Sequence, residues 1–344
     1  MNVTRVGLDL AKNVFQVHGV DRQERSVAKR KLSRGQVRVY FEKLSPCLIG
    51  MEACASAHYW AREFGRMGHQ VKLIAPQFVK PYVKSQKNDA NDAEAICEAV
   101  GRPNMRFVTV KTVAQQDIQA IHRIRSELIR QRTAKANQIR GLLAEYGIAV
   151  PIGIGALRRA LPELQEDAEN GLSGVFRRLL TGLREDLGNF DARVAALDQE
   201  IEIAARAEPM AERLQSIPGI GPIGATALVA AVGDARQFAR GRDMAACLGL
   251  TPGQHSSGGK EQLLGISKRG DSYLRTLLIH GARAVLKTAG RKTDPRSCWV
   301  MNIAARRHKN VAAVALANKN ARIAWALLTR GGGYDAMHGM AART

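Results

Sequence analysis

The sequence predicts a multidomain protein in which an α/β domain is followed by two mainly helical domains. Short apolar strands alternate with helices in the first part, a long heptad pattern follows, and amphipathic helices separated by glycine-rich loops complete the chain. We expect domains at residues 1–111, 112–210 and 211–330, and a disordered tail at residues 331–344. A chain of 344 residues with 45% hydrophobic content is long enough for several cores.

The composition is strongly basic. Lys and Arg number 52 against 31 Asp and Glu, which gives a formal net charge of +21. A positive field of this size favours a polyanion, and we expect nucleic acid, with an anionic membrane as the alternative. No apolar run is long enough to span a membrane, and neither a signal peptide nor a lipidation motif is visible, so a cytoplasmic location is expected.

The cysteines are five in number, scattered, and form no C-x-x-C pair. This arrangement argues against a disulfide framework and against a zinc site. We therefore expect buried thiols in a reducing compartment.

The predicted elements of the first domain follow the order strand, strand, strand, helix, strand, helix, strand, helix. They include strands at residues 3–10, 14–20, 47–52 and 70–75, and helices at residues 33–44 and 59–67, with a further short helix from Pro76 and another at Asp89. This order is that of a ribonuclease-H-like fold, in which the first strand is central.

Four carboxylates mark a candidate site in this domain. Asp9 is embedded in the first strand, Glu52 ends the strand expected beside it, and Asp89 and Asp92 are spaced i, i+3 in the first turn of a helix. A carboxylate in an apolar strand needs a metal, a cation or an edge position. Oxygen ligands favour Mg²⁺, or Mn²⁺. The alternatives are a surface acidic cluster and, for the helix pair, carboxylates that offset the helix dipole.

The middle of the chain is predicted to be helical from Val113 to Tyr146 and from Leu172 to Ala207. The second helix carries a heptad seam at Leu180, Leu183, Leu187, Phe190, Val194, Leu197, Ile201 and Ala204. The pattern alone leaves open whether this seam folds back on the first helix or pairs with another chain. We expect it to assemble chains, since a strict heptad of this length exceeds what an internal hairpin requires.

Two glycine-rich segments follow. Residues 217–227 have the form of a helix-hairpin-helix turn, in which Gly219 and Gly221 let the backbone approach phosphates. The alternative is a connection between packed helices. Residues 250–260 form a polar loop that holds two serines, and it is either a solvated turn or a site with an exposed nucleophile. Amphipathic helices are then predicted from Asp271 to Lys287 and from Val311 to Leu328.

Several motifs together carry a resemblance to a known family. They are Gly7-Leu8-Asp9-Leu10-Ala11-Lys12, Gly50-Met51-Glu52-Ala53, Asn88-Asp89-Ala90-Asn91-Asp92-Ala93, Pro218-Gly219-Ile220-Gly221-Pro222, Leu250-Thr251-Pro252 and His255-Ser256-Ser257-Gly258-Gly259-Lys260. In this order they resemble the DEDD transposases of the insertion-sequence family numbered one hundred and ten, also called bridge recombinases. The match extends over nearly the whole chain.

The resemblance implies a RuvC-like first domain, a coiled-coil middle and a C-terminal transposase domain. It implies that Asp9, Glu52, Asp89 and Asp92 bind Mg²⁺ and that a serine of the 255–260 loop is the nucleophile. We align this serine with Ser257, and Ser256 stays open because the doubled serine leaves the register undecided by one residue. The residues expected to contact nucleic acid are Gly219, Gly221, Lys260, Lys268 and Arg269.

The implied reaction is DNA strand exchange through a phosphoserine intermediate. The implied partners are donor DNA, target DNA, a structured guide RNA and further copies of the chain, as a homodimer and as a tetramer in the active complex. Base pairing would read sequence while Lys and Arg hold the backbones. The alternatives are a RuvC-like endonuclease or junction resolvase that uses metal-activated water, and a non-catalytic nucleic-acid scaffold.

Overall fold

The computed structural model describes residues 2–84 and 88–337. The chain divides into two compact units. The first contains the residues up to Val113 together with Val232–Ala239, and the second contains Ala114–Ala231 and the residues from Arg240 onward. The boundary expected near residue 210 stays a prediction. So does the disordered tail, of which residues 338–344 lie outside the described residues.

The first unit is built on a mixed six-stranded sheet with the order β3-β2-β1-β4-β5-β6. Its strands are β1 (Arg5–Leu10), β2 (Val14–Val20), β3 (Ser26–Ser33), β4 (Leu48–Glu52), β5 (Gln70–Ile74) and β6 (Phe107–Val108). β1, β4 and β5 are parallel, whereas β2, β3 and β6 each run antiparallel to a neighbour. This mixed α/β arrangement, with β1 central, is consistent with the ribonuclease-H-like domain that the order of elements predicts.

Helices cover both faces of this sheet. They are α1 (Arg34–Glu42), α2 (Ala57–Arg66), the short α3 (Pro76–Val79), which leads into a 3₁₀ turn at Lys80–Tyr82, and α4 (Asp89–Val100). Successive strand residues point to opposite faces. Val6 and Leu8 of β1 therefore share a core with Phe41 and Phe64 of α1 and α2. The intervening Gly7 faces α4.

The second unit is mainly helical. Its helices are α5 (Val113–Ala144, which begins in the first unit), α6 (Ile154–Glu166), α7 (Gly174–Ala207), α8 (Pro209–Gln215), α9 (Pro222–Val232), α10 (Gly241–Cys247), α11 (Ser272–Ala289), α12 (Pro295–Arg306) and α13 (Lys309–Arg330). A small antiparallel hairpin consists of β7 (Pro252–Gln254) and β8 (Leu263–Ile266). Helices α6, α8 and α12 and the β7–β8 hairpin are not among the elements predicted from the sequence, which indicated a polar loop at residues 250–260. No helix in the described ranges is long and apolar enough to cross a membrane.

The heptad seam of α7 folds back on α5 within the chain. Its buried positions are Leu180, Leu187, Val194 and Ile201, each seven residues from the next. Leu180 and Leu187 pack in one core with residues of α5 and α6. Three ion pairs run antiparallel between the long helices: Arg125–Asp198, Arg132–Asp191 at 3.0 Å and Lys135–Asp186 at 2.9 Å. The seam thus stabilises an intramolecular hairpin, and assembly of chains through it stays a prediction.

The cysteines do not all meet the expectation of buried thiols. Cys47 and Cys97 are buried, but Cys54, Cys247 and Cys298 are exposed, and no disulfide links them within the described residues. The expectation was wrong for the three exposed residues because sequence spacing alone carries no information on which face of an element a side chain occupies.

A buried histidine ties together three helices of the second unit. The ring of His122 in α5 lies 3.0 Å from the Tyr273 hydroxyl of α11 and 3.0 Å from the Thr226 hydroxyl of α9. His122 is only 4% exposed. Burial, with a smaller contribution from the charge of Arg125, lowers the pKa of His122 from 6.5 to about 4.

We predict that His122 makes the second unit sensitive to acid. Between about pH 6.5 and pH 4 the unfolded chain binds a proton at this position and the folded chain does not, so stability falls as the pH falls through this window. Below pH 4 the loss is complete, at on the order of 3 kcal/mol. Chemical denaturation at several pH values should show this slope in the wild type and in the exposed control His280→Gln. The slope should be smaller in His122→Gln, and an identical slope in all three proteins would contradict the assignment.

Candidate metal centre and serine hairpin

Three of the four predicted carboxylates come together in the first unit. Asp9, near the end of β1, and Asp89 and Asp92, in the first turn of α4, each offer one oxygen atom within 4.8 Å of the others. Asp9 and Asp92 are half-buried and Asp89 is exposed. Three carboxylate oxygens so close repel one another, and a bound cation or a shared proton relieves this repulsion. They form the donor set that hard divalent cations prefer, so the residues present fit a Mg²⁺ or Mn²⁺ ion.

Glu52 is the fourth predicted carboxylate and is not part of this group of three. It is the last residue of β4, and β4 runs parallel to β1 with Met51 paired to Leu8. Glu52 and Asp9 therefore occupy equivalent ends of neighbouring strands. The structure places Glu52 beside the cluster, and its role as a ligand stays a prediction.

Cys54 is a nearby residue that is not among the predicted site residues. Desolvation raises the pKa of its thiol, and the negative charges of Glu52 and Asp9 raise it further. The thiol is therefore close enough to sense both carboxylates. Its position two residues after Glu52 was the only available signal in the sequence.

The start of α4 is set by a cap. The Asn88 side chain accepts a hydrogen bond from the Asn91 amide at 2.8 Å, which satisfies one of the free amides of the first turn. Asn88 is therefore the residue that caps the N-terminus of α4. Asp89 and Asp92 lie on one face of this turn, where both reach Asp9.

The position of α4 on the sheet depends on two glycines that are paired in register. Gly7 of β1 and Gly50 of β4 are neighbours across the parallel ladder. A methyl group at Gly7 would clash with the Ala93 carbonyl oxygen and the Cys97 amide of α4. A methyl group at Gly50 would lie 2.7 Å from Cβ of Val100. Without side chains at these two positions, α4 packs directly on the strands.

A cationic strand borders the same helix. A cavity of about 240 Å³ is lined by residues of β2, β3 and α4, among them Gln16, Lys29, Lys31 and Asn91. Gln16 is paired with Asp9 across the β1–β2 ladder, so the cavity adjoins the carboxylates. Lys29 and Lys31 are exposed and give positive charge next to a negative cluster. This combination is suited to a polyanion that approaches a metal site.

The candidate serines lie on the β7–β8 hairpin of the second unit. Ser257 and Lys260 are bridged across its tip, where the Lys260 amide donates to the Ser257 carbonyl at 3.1 Å. Gly258 and Gly259 form the turn between them with φ of +56° and +78°. Positive φ at both central residues is the pattern of a type I′ turn, which favours glycine. All four residues of the tip are exposed.

The hairpin distinguishes the two serines. Side chains alternate along an extended arm, so Ser256 and Ser257 point to opposite faces. The Ser256 hydroxyl lies 2.9 Å from the Gln254 amide nitrogen and 3.3 Å from the Gln262 backbone amide, and accepts from both. The Ser257 hydroxyl makes no hydrogen bond with any of the described residues. Lys260, its cross-strand partner, lies on the same face.

The predicted helix-hairpin-helix turn joins α8 to α9, and its two glycines have different surroundings. Gly219 has a φ of +94°, and a methyl group on it would lie 2.9 Å from the Gly281 carbonyl oxygen of α11. Its conformation and close packing account for this glycine without a nucleic acid. Gly221 is exposed, with open space where a side chain would be. The turn is held by Arg296 and Asn320, which donate to the Pro218 carbonyl at 3.4 and 3.1 Å.

The remaining predicted contacts to nucleic acid follow the hairpin. Lys268 and Arg269 are exposed in the connection between β8 and α11. Lys268 adopts a left-handed conformation with φ of +54°, and its amide donates to the Gly249 carbonyl at 3.2 Å. With Lys260 they give this part of the second unit three exposed cations.

Two family models and several known proteins match this chain. Residues 211–296 match the family model described as Transposase IS116/IS110/IS902 family, and residues 6–148 match the DEDD transposase model of IS110 elements. The chain is 56% identical over 331 residues to a probable family 20 transposase of Pseudomonas aeruginosa, an alignment that covers 96% of this chain and 98% of that protein. The chain belongs to the IS116/IS110/IS902 transposase family.

Other relatives of this IS110-type chain carry insertion-sequence names. The transposase for insertion sequence element IS1111A of Coxiella burnetii is 48% identical over 94% of this chain and 89% of its own length. The transposase for insertion sequence element IS1328 of Yersinia enterocolitica is 43% identical over 96% of this chain and 98% of its own length. The protein is therefore an insertion-sequence transposase, a DNA-processing enzyme, and the resemblance identified from the motifs is confirmed.

We predict that Gly7→Ala destabilises the transposase by about 1–3 kcal/mol or more, because the added methyl group meets the backbone of α4. Gly65→Ala is the matched control. Gly65 lies in α2 with nothing near its would-be side chain, so alanine there should be neutral or stabilising by about 0.5–1 kcal/mol. Urea denaturation of both variants measures the difference. Equal stability of the two variants would show that α4 does not require Gly7.

We also predict that the three grouped carboxylates bind a divalent cation more strongly than Glu52 does. Asp9→Asn, Asp89→Asn and Asp92→Asn should each lower Mn²⁺ affinity by at least about tenfold. Glu52→Gln should lower it less. Electron paramagnetic resonance of free Mn²⁺ measures this affinity, and Glu98→Gln, at the far end of α4, is the control with the same change in charge. A larger loss in Glu52→Gln than in the three Asn variants would refute the grouping.

Proposed function

We propose that this transposase cuts and exchanges DNA strands with Ser257 as the nucleophile and with a divalent metal ion held by Asp9, Asp89 and Asp92, with Glu52 as the fourth ligand. The observation that carries the proposal is the convergence of three carboxylates from β1 and α4, whose mutual repulsion a bound cation would relieve. The exposed hairpin supports the serine part, because Ser257 lies at its tip with no internal hydrogen bond to its hydroxyl among the described residues.

The proposed chemistry is a phosphoryl transfer to the serine. As the bond between Ser257 Oγ and phosphorus forms, one backbone P–O bond breaks and the departing DNA oxygen takes up a proton. The hydroxyl proton passes to a base, for which His255, two residues before Ser257 on the same face of the hairpin, is the nearest candidate in sequence. When bound, the metal ion supplies Lewis-acid polarisation of the phosphate. The phosphoserine link conserves the energy of the broken bond, so strand exchange proceeds without ATP.

The charge distribution supports a role for nucleic acid on both units. Lys29 and Lys31 border the carboxylates, whereas Lys260, Lys268 and Arg269 surround the serine hairpin. These side chains can hold phosphates without reading sequence. The net charge of +21 with only 5% aromatic residues fits guidance by a structured RNA that pairs with donor and target DNA. We propose Mg²⁺ as the natural cation, with Mn²⁺ as a substitute, and a cytoplasmic location, where the element's DNA is.

We further propose that the chain acts as a homodimer that assembles into a tetramer in the active complex. Leu183, Phe190 and Leu197 lie between the buried positions of α7 and stay partly exposed after α7 has packed on α5. A second copy would cover this remaining stripe of the seam. Leu187, in contrast, is buried within the chain and is unsuitable for testing assembly.

The serine is tested by a covalent-adduct assay. The protein is incubated with Mg²⁺, its guide RNA and labelled donor and target DNA, and is analysed on a denaturing gel before and after proteolysis. We predict a protease-sensitive shifted band in the wild type and in Ser256→Ala, and no such band in Ser257→Ala. The hydroxyl of Ser256 is already engaged by Gln254 and Gln262, so its loss should not remove the nucleophile.

Two other results of this assay would change the assignment of the nucleophile. Loss of the band in Ser256→Ala alone would move the nucleophile by one residue. Cleaved DNA ends with no adduct in any variant would reject serine chemistry and favour a RuvC-like endonuclease that uses activated water.

A further inference from the structure

A second cationic cavity lies among α10, α12 and α13 of the second unit. Its volume is about 790 Å³, within the range of about 300–1,000 Å³ that small ligands occupy. Five cations line it, which are Arg240, Arg242, Lys319, Arg322 and Arg330. No carboxylate is among the described residues that line it. The cavity is therefore suited to an anionic ligand.

Two tryptophans also line this cavity. The chain has only three tryptophans, and the third, Trp60, lies in the core of the first unit. Trp299 of α12 and Trp325 of α13 are half-buried. The Lys319 ammonium lies 4.3 Å from the centre of the Trp299 ring, and the Arg330 guanidinium 5.7 Å from that of Trp325. Large aromatic faces next to cations are a combination that simple solubility does not require.

The cations are crowded. Arg240 is paired with Asp243 at 3.2 Å, but Arg242 and Arg322 are exposed and have no ion pair with any described residue. Desolvation lowers the pKa of Lys319, and the positive charges of Arg296 and Arg322 lower it further. Like charges held this close destabilise one another until an anion binds between them.

The cavity has a defined wall rather than an accidental gap. Gly241 opens α10, and a methyl group on it would lie 3.0 Å from the Arg322 carbonyl oxygen and 3.2 Å from the Trp325 ring. The absence of a side chain lets α10 approach α13 at the position of the tryptophan. α10 therefore packs on α13, the helix that bears Trp325, at this wall of the cavity.

We propose that this cavity binds an unpaired nucleotide, with its base stacked on Trp299 or Trp325 and its phosphate bound by Arg242 and Arg322. Tryptophan stacks on any base, and the guanidinium groups match phosphate oxygens. A base within a duplex is stacked on its neighbours and cannot enter, so the ligand is a single-stranded or unpaired segment. DNA and RNA share this chemistry. None of the residues that line the cavity belongs to the carboxylate group or to the serine hairpin, and the role of the cavity does not depend on strand cleavage.

The test compares chains with and without bases. Binding of labelled oligo(dT), oligo(U) and a base-free phosphodiester chain of equal length is measured by fluorescence anisotropy in EDTA, so cleavage cannot contribute. We expect the two oligonucleotides to bind more tightly than the base-free chain and to quench tryptophan fluorescence. Of Trp299→Ala and Trp325→Ala, the variant that removes the stacking face should reduce oligonucleotide affinity by about tenfold, since base–aromatic stacking contributes on the order of 1–3 kcal/mol per base. Neither variant should change binding of the base-free chain.

The controls separate stacking from folding and from charge. Trp299→Phe retains an aromatic face and should keep most of the affinity, and thermal melting shows that the variants fold. Arg322→Ala should weaken binding of all three chains, whereas Arg291→Ala, an exposed arginine outside the cavity, should not. The tighter of oligo(dT) and oligo(U) identifies the natural source of the nucleotide. Equal losses for the oligonucleotides and the base-free chain, or unchanged binding in both tryptophan variants, would overturn the proposal.

Discussion

The contact between α4 and the centre of the sheet is the constraint on which the candidate metal centre depends. Gly7 and Gly50 are paired across β1 and β4, so the strands carry no side chains where the helix crosses them. A helix normally keeps its distance from a sheet because side chains fill the space between them. Here the helix backbone lies directly against Gly7, so the first turn of α4 reaches the end of β1. The carboxylates of Asp89 and Asp92 then meet Asp9, and their mutual repulsion is the reason to expect a cation.

Glycine has a different physical role at each of the other sites. At Gly219 it permits both a positive φ and close packing on α11. The predicted helix-hairpin-helix turn therefore connects packed helices, and it is also a candidate phosphate contact. At Gly258 and Gly259 it permits the tight turn that exposes Ser257. At Gly241 it brings α10 against α13 beside the tryptophan cavity. A glycine motif in this chain therefore indicates that another group packs closely on the backbone, but it does not identify that group.

Much of the first unit could be predicted from the sequence because the signals are local. The apolar strands and the i, i+3 spacing of Asp89 and Asp92 are readable within a few residues. Whether Glu52 joins the cluster depends on tertiary geometry, and the structure groups three carboxylates where four were predicted. The approach of α4 to Gly7 is equally non-local. The motifs identified the family, but they carried no information on the Trp299 and Trp325 cavity.

The helical part was predicted less completely, for identifiable reasons. α6 contains Pro162 and follows a glycine-rich link, and α12 begins at Pro295 and carries most of its large apolar residues as a consecutive run at residues 298–301, so neither shows a clear helical spacing. The heptad of α7 predicted a helix correctly but not its partner, because an intramolecular hairpin and a dimer bury the same stripe. On α5, His122 is buried at the contact with α9 and α11, and a search for apolar residues cannot find it.

The central claim is that Asp9, Asp89 and Asp92 share one divalent cation. The most direct measurement is anomalous diffraction from crystals grown with Mn²⁺, since Mn²⁺ scatters anomalously and takes the oxygen ligands expected for Mg²⁺. We predict an anomalous peak about 2.0–2.3 Å from an oxygen of each of the three carboxylates. Density for all three side chains with no peak between them, at Mn²⁺ concentrations that support DNA cleavage, would contradict the account.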